Sequence, residues 1–117
     1  MHRLKRPSGW KGEIAGRRCI LVDDIVDTAG TLCSAAEALT DAGASSVFGY
    51  VTHGVLSGGA VPRVIGSPME MLVITDSIVA TEAVRAARNI RQLTIAPLMA
   101  EAILRISEER SVSSLFD

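Results

Sequence analysis

The chain has 117 residues, 48% of them hydrophobic, which is enough for one folded domain with a buried core. Twelve Lys and Arg against thirteen Asp and Glu give a formal net charge of −1, so the basic excess typical of nucleic-acid-binding proteins is absent. Because no apolar run reaches roughly 18 residues and no secretion signal follows the basic start, we expect a cytoplasmic protein that binds neither membrane nor nucleic acid.

Strands and helices are predicted to alternate along the chain. The apolar strand segments are continuous, which is typical of a parallel sheet covered on both faces. Gly43 is expected to end the first long helix, and Pro97 to lie in the first turn of the last. The pattern predicts an α/β fold with right-handed crossovers. The predicted strands are 19–22, 46–52, 71–75 and 93–95, and the predicted helices are 31–42, 59–64, 81–88 and 98–109.

Small residues open the first long helix and predict a phosphate-binding loop: Thr28, Ala29, Gly30 and Thr31. Their backbone N–H groups can approach an anion closely, and Gly30 is expected to adopt a positive φ. The helix adds unpaired N–H donors and the positive end of its dipole. The hydroxyls of Thr28 and Thr31 can donate to the anion or cap the helix.

Three carboxylates precede or enter this loop: Asp23, Asp24 and Asp27. Because they would repel a phosphate, they are expected to contact sugar hydroxyls or Mg²⁺ instead. Adjacent side chains of an extended strand point to opposite sides, so one of Asp23 and Asp24 is expected to contact the sugar and the other to orient a loop or a metal-bound water. A phosphate group and a vicinal diol together describe ribose 5-phosphate.

Two further polar residues follow predicted strands at the same edge of the sheet, His53 and Asp76. We interpret His53 as a hydrogen-bonded structural residue and Asp76 as part of a turn or a helix cap, and we leave both outside the predicted catalytic set. Cys19 and Cys33 are interpreted as free thiols in apolar surroundings.

The segment 22–31 resembles the ribose-phosphate loop of type I phosphoribosyltransferases and phosphoribosyl pyrophosphate synthetases. Other segments resemble the C-terminal part of the ribose-phosphate pyrophosphokinases, in the same order along the chain: 35–39, 52–58, 73–76, 96–98 and 111–116. The resemblance extends from about residue 12 to residue 117, and residues 1–11 match poorly. It implies that residues 1–117 form a single three-layer, parallel-sheet, phosphoribosyltransferase-like domain that is truncated at its N-terminal side.

The resemblance also implies an activity, the transfer of pyrophosphate from ATP to the 1-hydroxyl of ribose 5-phosphate, which yields phosphoribosyl pyrophosphate for nucleotide biosynthesis. Residues 27–31 would bind the 5-phosphate, whereas Asp23 and Asp24 would hold the sugar hydroxyls or hydrated Mg²⁺, the implied cofactor. Members of the family use a Lys-Arg pair as a cationic clamp on the transferred group. Lys5 and Arg6 are the candidates for that clamp in this chain.

The resembling synthetases bind ATP with an N-terminal domain that has no counterpart in this sequence, so ATP is expected to bind only with another domain or a partner chain. A homo-oligomer or association with a full synthetase is therefore expected. Ser111 and Ser113 would contact phosphate at a regulatory site between subunits, or the tail that contains them would serve only for docking. A non-catalytic regulatory homologue and a phosphoribosyltransferase are the alternative functions.

Overall fold

A computed structural model describes residues 13–116 of the chain. The candidate clamp residues Lys5 and Arg6 lie outside this range, so their predicted role stays a prediction.

Parallel strands and connecting helices alternate throughout the described residues, which confirms the predicted α/β class. The strands pair in the order β1-β2-β3-β4, and all three pairings are parallel. A short 3-10 helix, Ser113–Phe116, follows the last α-helix. The elements are β1 (Arg18–Val26), α1 (Gly30–Asp41), β2 (Ser46–Gly54), α2 (Ala60–Ile65), β3 (Met71–Thr75), α3 (Glu82–Ala86), β4 (Ile90–Leu93) and α4 (Ala96–Ser107).

Three strands differ in their bounds from the predictions, and β2, predicted to end at residue 52, continues to Gly54. β1 continues to Val26 because its polar end still pairs with β2, with Asp23 opposite Val51. Asp23 and Asp24 therefore belong to the strand rather than to the loop after it. β4 was predicted at 93–95 but spans Ile90–Leu93, since its pairing with β3 begins at Leu72 opposite Ile90.

The end of α1 confirms the prediction made for Gly43. This residue has a φ of 99°, which an L-residue adopts only with strain. Its N–H donates to the Thr40 carbonyl at 3.0 Å, and the Ala44 N–H donates to the Leu39 carbonyl at 3.0 Å. These two bonds form the Schellman motif, which satisfies carbonyls that the helix end would otherwise leave unpaired. Pro97 likewise lies in the first turn of α4, as predicted.

The core lies between the sheet and the helices on one of its faces. Because the strand order is sequential and crossovers are right-handed, α1, α2 and α3 lie on the same side. Apolar side chains from both layers are almost completely buried there, including Ala36 and Val64 from the helices and Val47, Leu72 and Ile74 from the strands. This burial is what fixes the relative positions of β1, α1 and α2.

The opposite face of the sheet is largely exposed. Val22 of β1 is 70% exposed and Tyr50 of β2 is 48% exposed, and none of the residues of α4 is buried. The expectation of a sheet covered on both faces is therefore met on one face only within residues 13–116. The continuous apolar strands have the composition of a doubly covered sheet, but the second covering layer is not among the described residues.

Among residues 13–116, no helix combines the length and apolar character that crossing a bilayer requires.

Candidate functional site

A pocket of about 200 Å³ opens where β1 ends and α1 begins. Its polar wall contains six of the seven residues predicted to bind ribose 5-phosphate: Asp23, Asp27, Thr28, Ala29, Gly30 and Thr31. Its apolar wall is formed by Ile25, Val26, Leu32 and Val51. The pocket lies at the carboxyl end of β1, beside Val51 of β2, and this edge is where parallel α/β sheets bind their ligands.

The seventh predicted residue, Asp24, does not line this pocket. Side chains alternate along β1, so Asp23 shares the helix-covered face with Leu21, whereas Asp24 shares the exposed face with Val22. The backbone N–H of Asp24 donates to Asp23 Oδ1 at 2.8 Å. The two adjacent carboxylates therefore diverge, as the strand geometry predicted, and Asp23 is the one directed to the pocket.

The loop between β1 and α1 turns at Ala29, which has φ 68° and ψ 7°. Gly30 was expected to supply the positive φ, but it does not have one. Ala29, one residue earlier, adopts the left-handed conformation instead. Its side chain is a single methyl group, the smallest that an L-residue can carry in this strained conformation. Gly30 instead leaves space, because a Cβ added to it would meet no atom closer than Thr28 Oγ1 at 3.9 Å.

The first turn of α1 keeps its N–H donors available. The helix begins after Ala29 without a side-chain cap. Neither Thr28 nor Thr31 therefore caps it, and of the two roles considered for their hydroxyls only donation to the anion is left. The Cys33 N–H donates to the Ala29 carbonyl at 2.9 Å. An uncapped helix start directed at a pocket is suited to bind an anion.

The connection between β2 and α2 holds the loop from outside the pocket. The Ser57 hydroxyl donates to Asp27 Oδ1, and the Ser57 backbone N–H donates to the Asp27 carbonyl at 2.9 Å. The N–H groups of Val55 and Leu56 both donate to the Val26 carbonyl, at 2.9 and 3.2 Å. These bonds continue the contact between β1 and β2 beyond the sheet, so the position of Asp27 depends on residues about thirty positions later.

Arg63 of α2 makes a further contact with the loop. Its Nη1 donates to the carbonyl of Thr28. Neither Arg63 nor Ser57 was among the predicted site residues. Ser57 lies in segment 52–58, one of the segments that resemble the family, and this resemblance was the available signal for it. No local sequence pattern indicates that Arg63 contacts Thr28.

His53 and Asp76 make structural hydrogen bonds outside the pocket. His53 Nδ1 lies 2.7 Å from Ser77 Oγ, and Asp76 Oδ1 accepts the Ile95 N–H at 2.8 Å. The Thr94 hydroxyl and this Ile95 N–H lower the pKa of Asp76, because both bonds favour the charged carboxylate. Asp76 therefore fixes the turn from β4 into α4, in agreement with its interpretation as a turn residue.

The Cys33 thiol is buried behind the loop in the first turns of α1. Burial raises the pKa of this thiol because the thiolate would lose its hydration, although bonding to Ser67 and the nearby Arg63 charge act in the other direction. Cys33 is thus a neutral packing residue at neutral pH, as predicted for a free thiol in apolar surroundings.

The described residues contain no group of three or more His, Cys, Asp or Glu side chains that could hold a metal ion. Asp23 and Asp24 diverge and cannot form such a group with each other. Of the two, Asp23 lines the pocket, so it is the carboxylate that could reach a hydrated Mg²⁺ ion there.

The two serines proposed for a regulatory site lie after α4. Ser111 Oγ and Ser113 Oγ are 3.0 Å apart, and Arg105 Nη1 donates to the Ser111 carbonyl at 3.3 Å and to the Ser114 hydroxyl. Arg105 also pairs with Glu101 at 3.0 Å. The serines are thus joined to the last turns of α4 and are not part of the pocket after β1.

Comparison with known proteins gives the family of the chain. The phosphoribosyl synthetase-associated domain family matches residues 1–117. A ribose-phosphate pyrophosphokinase of Granulibacter bethesdensis is 67% identical over 106 residues, which are 91% of this chain and 34% of that protein. The corresponding protein of Rhizobium meliloti is 62% identical over the same shares.

A solved structure agrees with these sequences. The phosphoribosylpyrophosphate synthetase of Mycobacterium smegmatis superposes with a TM-score of 0.80 at 35% identity, over 85% of this chain and 33% of that one. The chain therefore spans about a third of the length of the relatives that it matches. The resemblance found in the sequence motifs is confirmed, and the chain belongs to the phosphoribosyl synthetase-associated domain family.

Proposed function

We propose that the chain is the ribose 5-phosphate-binding part of a synthetase that transfers pyrophosphate from ATP to ribose 5-phosphate. The observation that carries this proposal is the pocket that joins the uncapped start of α1 to the carboxylate of Asp23. One end of the pocket offers backbone donors to a phosphate, and the other offers acceptors to hydroxyls. The similarity to ribose-phosphate pyrophosphokinases supports the same substrate.

In this proposal the main-chain N–H groups of residues 29–31 and the threonine hydroxyls bind the 5-phosphate. Asp23 accepts hydrogen bonds from the ribose hydroxyls. Asp27, whose Oδ1 already accepts the Ser57 hydroxyl, borders the phosphate end of the pocket. Pyrophosphate transfer depends mainly on alignment and charge neutralisation, so the contribution of this chain is to hold the 1-hydroxyl in one orientation.

Mg²⁺ is the proposed cofactor, held through water by Asp23, with Asp24 orienting another water or a loop from the opposite face. When bound it would neutralise negative charge on the phosphate groups. The divergence of the two carboxylates favours this water-mediated arrangement over direct coordination by both.

ATP binding is proposed to require protein segments beyond this chain, in a homo-oligomer or with a full synthetase. The similar proteins are about three times as long as the matched region, which is consistent with a further nucleotide-binding part. Lys5 and Arg6 are the proposed clamp on the transferred group. Ser111 and Ser113, beside Arg105, are proposed to contact a regulatory phosphate.

The substrate is tested by adding ribose 5-phosphate and Mg²⁺ to isotopically labelled protein and following backbone amide signals. Signals from residues 23–31 should shift, and ribose without phosphate should shift them much less. Asp23→Asn should weaken binding of ribose 5-phosphate more than binding of inorganic phosphate, because this carboxylate contacts the sugar hydroxyls and not the phosphate. A folded sample with no shift at millimolar ribose 5-phosphate would refute the assignment.

The catalytic part of the proposal has a separate test. The isolated chain should form no AMP from ATP and ribose 5-phosphate, whereas mixing it with a synthetase that carries an inactivated ribose-phosphate loop should restore AMP formation. Failure of every such mixture, together with normal ribose 5-phosphate binding, would favour the alternative of a non-catalytic binding module.

A further inference from the structure

The Thr28–Ala29 peptide is held by a residue that does not line the pocket. Arg63 Nη1 donates to the Thr28 carbonyl, and Arg63 itself is not among the residues that line the pocket. Ala29, the next residue, is 4% exposed and does line it. The guanidinium therefore reaches this peptide at its carbonyl without being part of the pocket lining.

This arrangement determines where the Ala29 N–H points. In a trans peptide the C=O and N–H bonds are nearly antiparallel, so anchoring the Thr28 carbonyl on Arg63 turns the Ala29 N–H in the opposite direction. Ala29 lines the pocket, so this N–H is the donor that the peptide can offer to a ligand there. The left-handed conformation of Ala29 then leads the chain into the uncapped start of α1, where Gly30 and Thr31 also line the pocket. Successive N–H groups arranged in this way form a concave anion-binding nest.

The conformation of Ala29 needs such an external restraint. An L-residue with φ near 68° is less stable than in its ordinary conformations, and alanine has no polar side chain that could compensate locally. The bond from Arg63, 35 residues later, and the two bonds from Ser57 to Asp27 restrain the three residues 27–29 from a single neighbouring segment. A strained conformation persists where surrounding contacts hold it in this way.

We propose that Arg63 is a positioning residue that holds the Thr28–Ala29 peptide in the orientation that binds phosphate. This inference rests on the proposed function for the identity of the ligand. It assigns the orientation of the loop peptide to a residue of α2 that does not itself line the pocket. Arg63 also places one positive charge behind the loop, and a buried or partly enclosed phosphate would be attracted to that charge. Its main action is geometric, since the guanidinium reaches the loop carbonyl rather than the pocket.

The test uses three variants of the full chain. Arg63→Met removes the donor and keeps a long apolar side chain, and Arg63→Lys keeps the charge and one possible donor. Arg88→Met is the matched control, because Arg88 is also exposed and also donates to a backbone carbonyl, that of Ile65 at 3.1 Å. The first readout needs no ligand: the three-bond coupling and the carbon shifts of Ala29, which report its backbone conformation.

In Arg63→Met these Ala29 signals should move away from left-handed values, while amides outside residues 27–30 and the α2 region keep their positions. The dissociation constants of inorganic phosphate and ribose 5-phosphate should both rise about tenfold, the effect of one charge-assisted hydrogen bond. Arg63→Lys should recover part of both changes, and Arg88→Met should change neither.

Unchanged Ala29 signals in Arg63→Met would overturn the proposal, whatever happens to affinity, because the arginine would then act only through its charge. Changed Ala29 signals with unchanged phosphate affinity would overturn it as well. The proposed function fails in a different way, since the wild-type chain would then bind no ribose 5-phosphate while the ligand-free Ala29 signals still responded to Arg63→Met.

Discussion

Replacement of Gly30 by valine should separate ligand binding from stability. In the structure, a Cβ at this position would meet no atom closer than 3.9 Å, and the residue has no positive φ. Glycine and valine in a helix differ by roughly 0.5 kcal/mol in favour of valine, so the free energy of unfolding should change by no more than about that amount. The fold has room for this side chain when no ligand is bound.

Binding should respond quite differently. The same open space is the pocket, so the two methyl groups of valine would occupy volume that the proposed phosphate needs. Loss of one charge-assisted hydrogen bond from a backbone N–H costs about 1.5–3 kcal/mol, which corresponds to a roughly 10- to 150-fold rise in the dissociation constant of ribose 5-phosphate. Gly30→Ala should give a smaller rise, because its single methyl group fills less of the pocket.

Isothermal titration with ribose 5-phosphate and Mg²⁺ measures the affinity, and urea unfolding followed by circular dichroism measures the stability. Ser34→Val is the matched control, since it adds a branched side chain to an exposed position of the same helix that does not line the pocket. It should leave the affinity unchanged. If Gly30→Val is as stable as the wild type and binds ribose 5-phosphate equally well, the phosphate does not approach the start of α1.

Three further predictions concern stability and reactivity. Gly54→Ala should lower the free energy of unfolding by about 1–3 kcal/mol, because its Cβ would lie 2.7 Å from Ile74 Cδ1 and 3.2 Å from Ile74 Cβ; an unchanged urea midpoint would contradict this packing. Asp76→Asn should reduce the free energy of unfolding at neutral pH, and its difference from wild type should shrink as the pH falls below 3.8. The reason is that hydrogen bonds to the charged carboxylate lower the pKa of Asp76, so this carboxylate stabilises the fold only while it is charged. A difference that does not depend on pH in urea titrations would refute this prediction. Cys33 should be alkylated by iodoacetamide far more slowly than Cys19 in the folded protein, since burial raises the pKa of its thiol, and equal rates by mass spectrometry would contradict this.

Much of the fold and the composition of the pocket followed from local sequence signals. The change from apolar strand to carboxylates and small residues predicted the segment that lines the pocket. Gly43 at the end of α1 was also predictable, because a Schellman ending depends on residues adjacent in sequence. Such features can be predicted without knowing which other elements pack against them.

The predictions failed where the deciding contact came from another element. β1 was expected to end at Val22, but pairing with β2 extends it to Val26. The positive φ was assigned to Gly30 by its permissive backbone, yet the restraint from α2 and the β2–α2 connection acts on residues 27–29, and Ala29 adopts it. Neither effect can be seen in the local residue pattern.

The sequence by itself determined the α/β class, the order of its elements and the family of the chain, because periodicity, turn residues and motifs are local properties. Only the tertiary structure decided that Asp23 faces the pocket while Asp24 faces away, and that Ser57 and Arg63 hold the loop. These contacts join residues about 30 to 35 positions apart, and they form only after the sheet has brought the ends of its strands together.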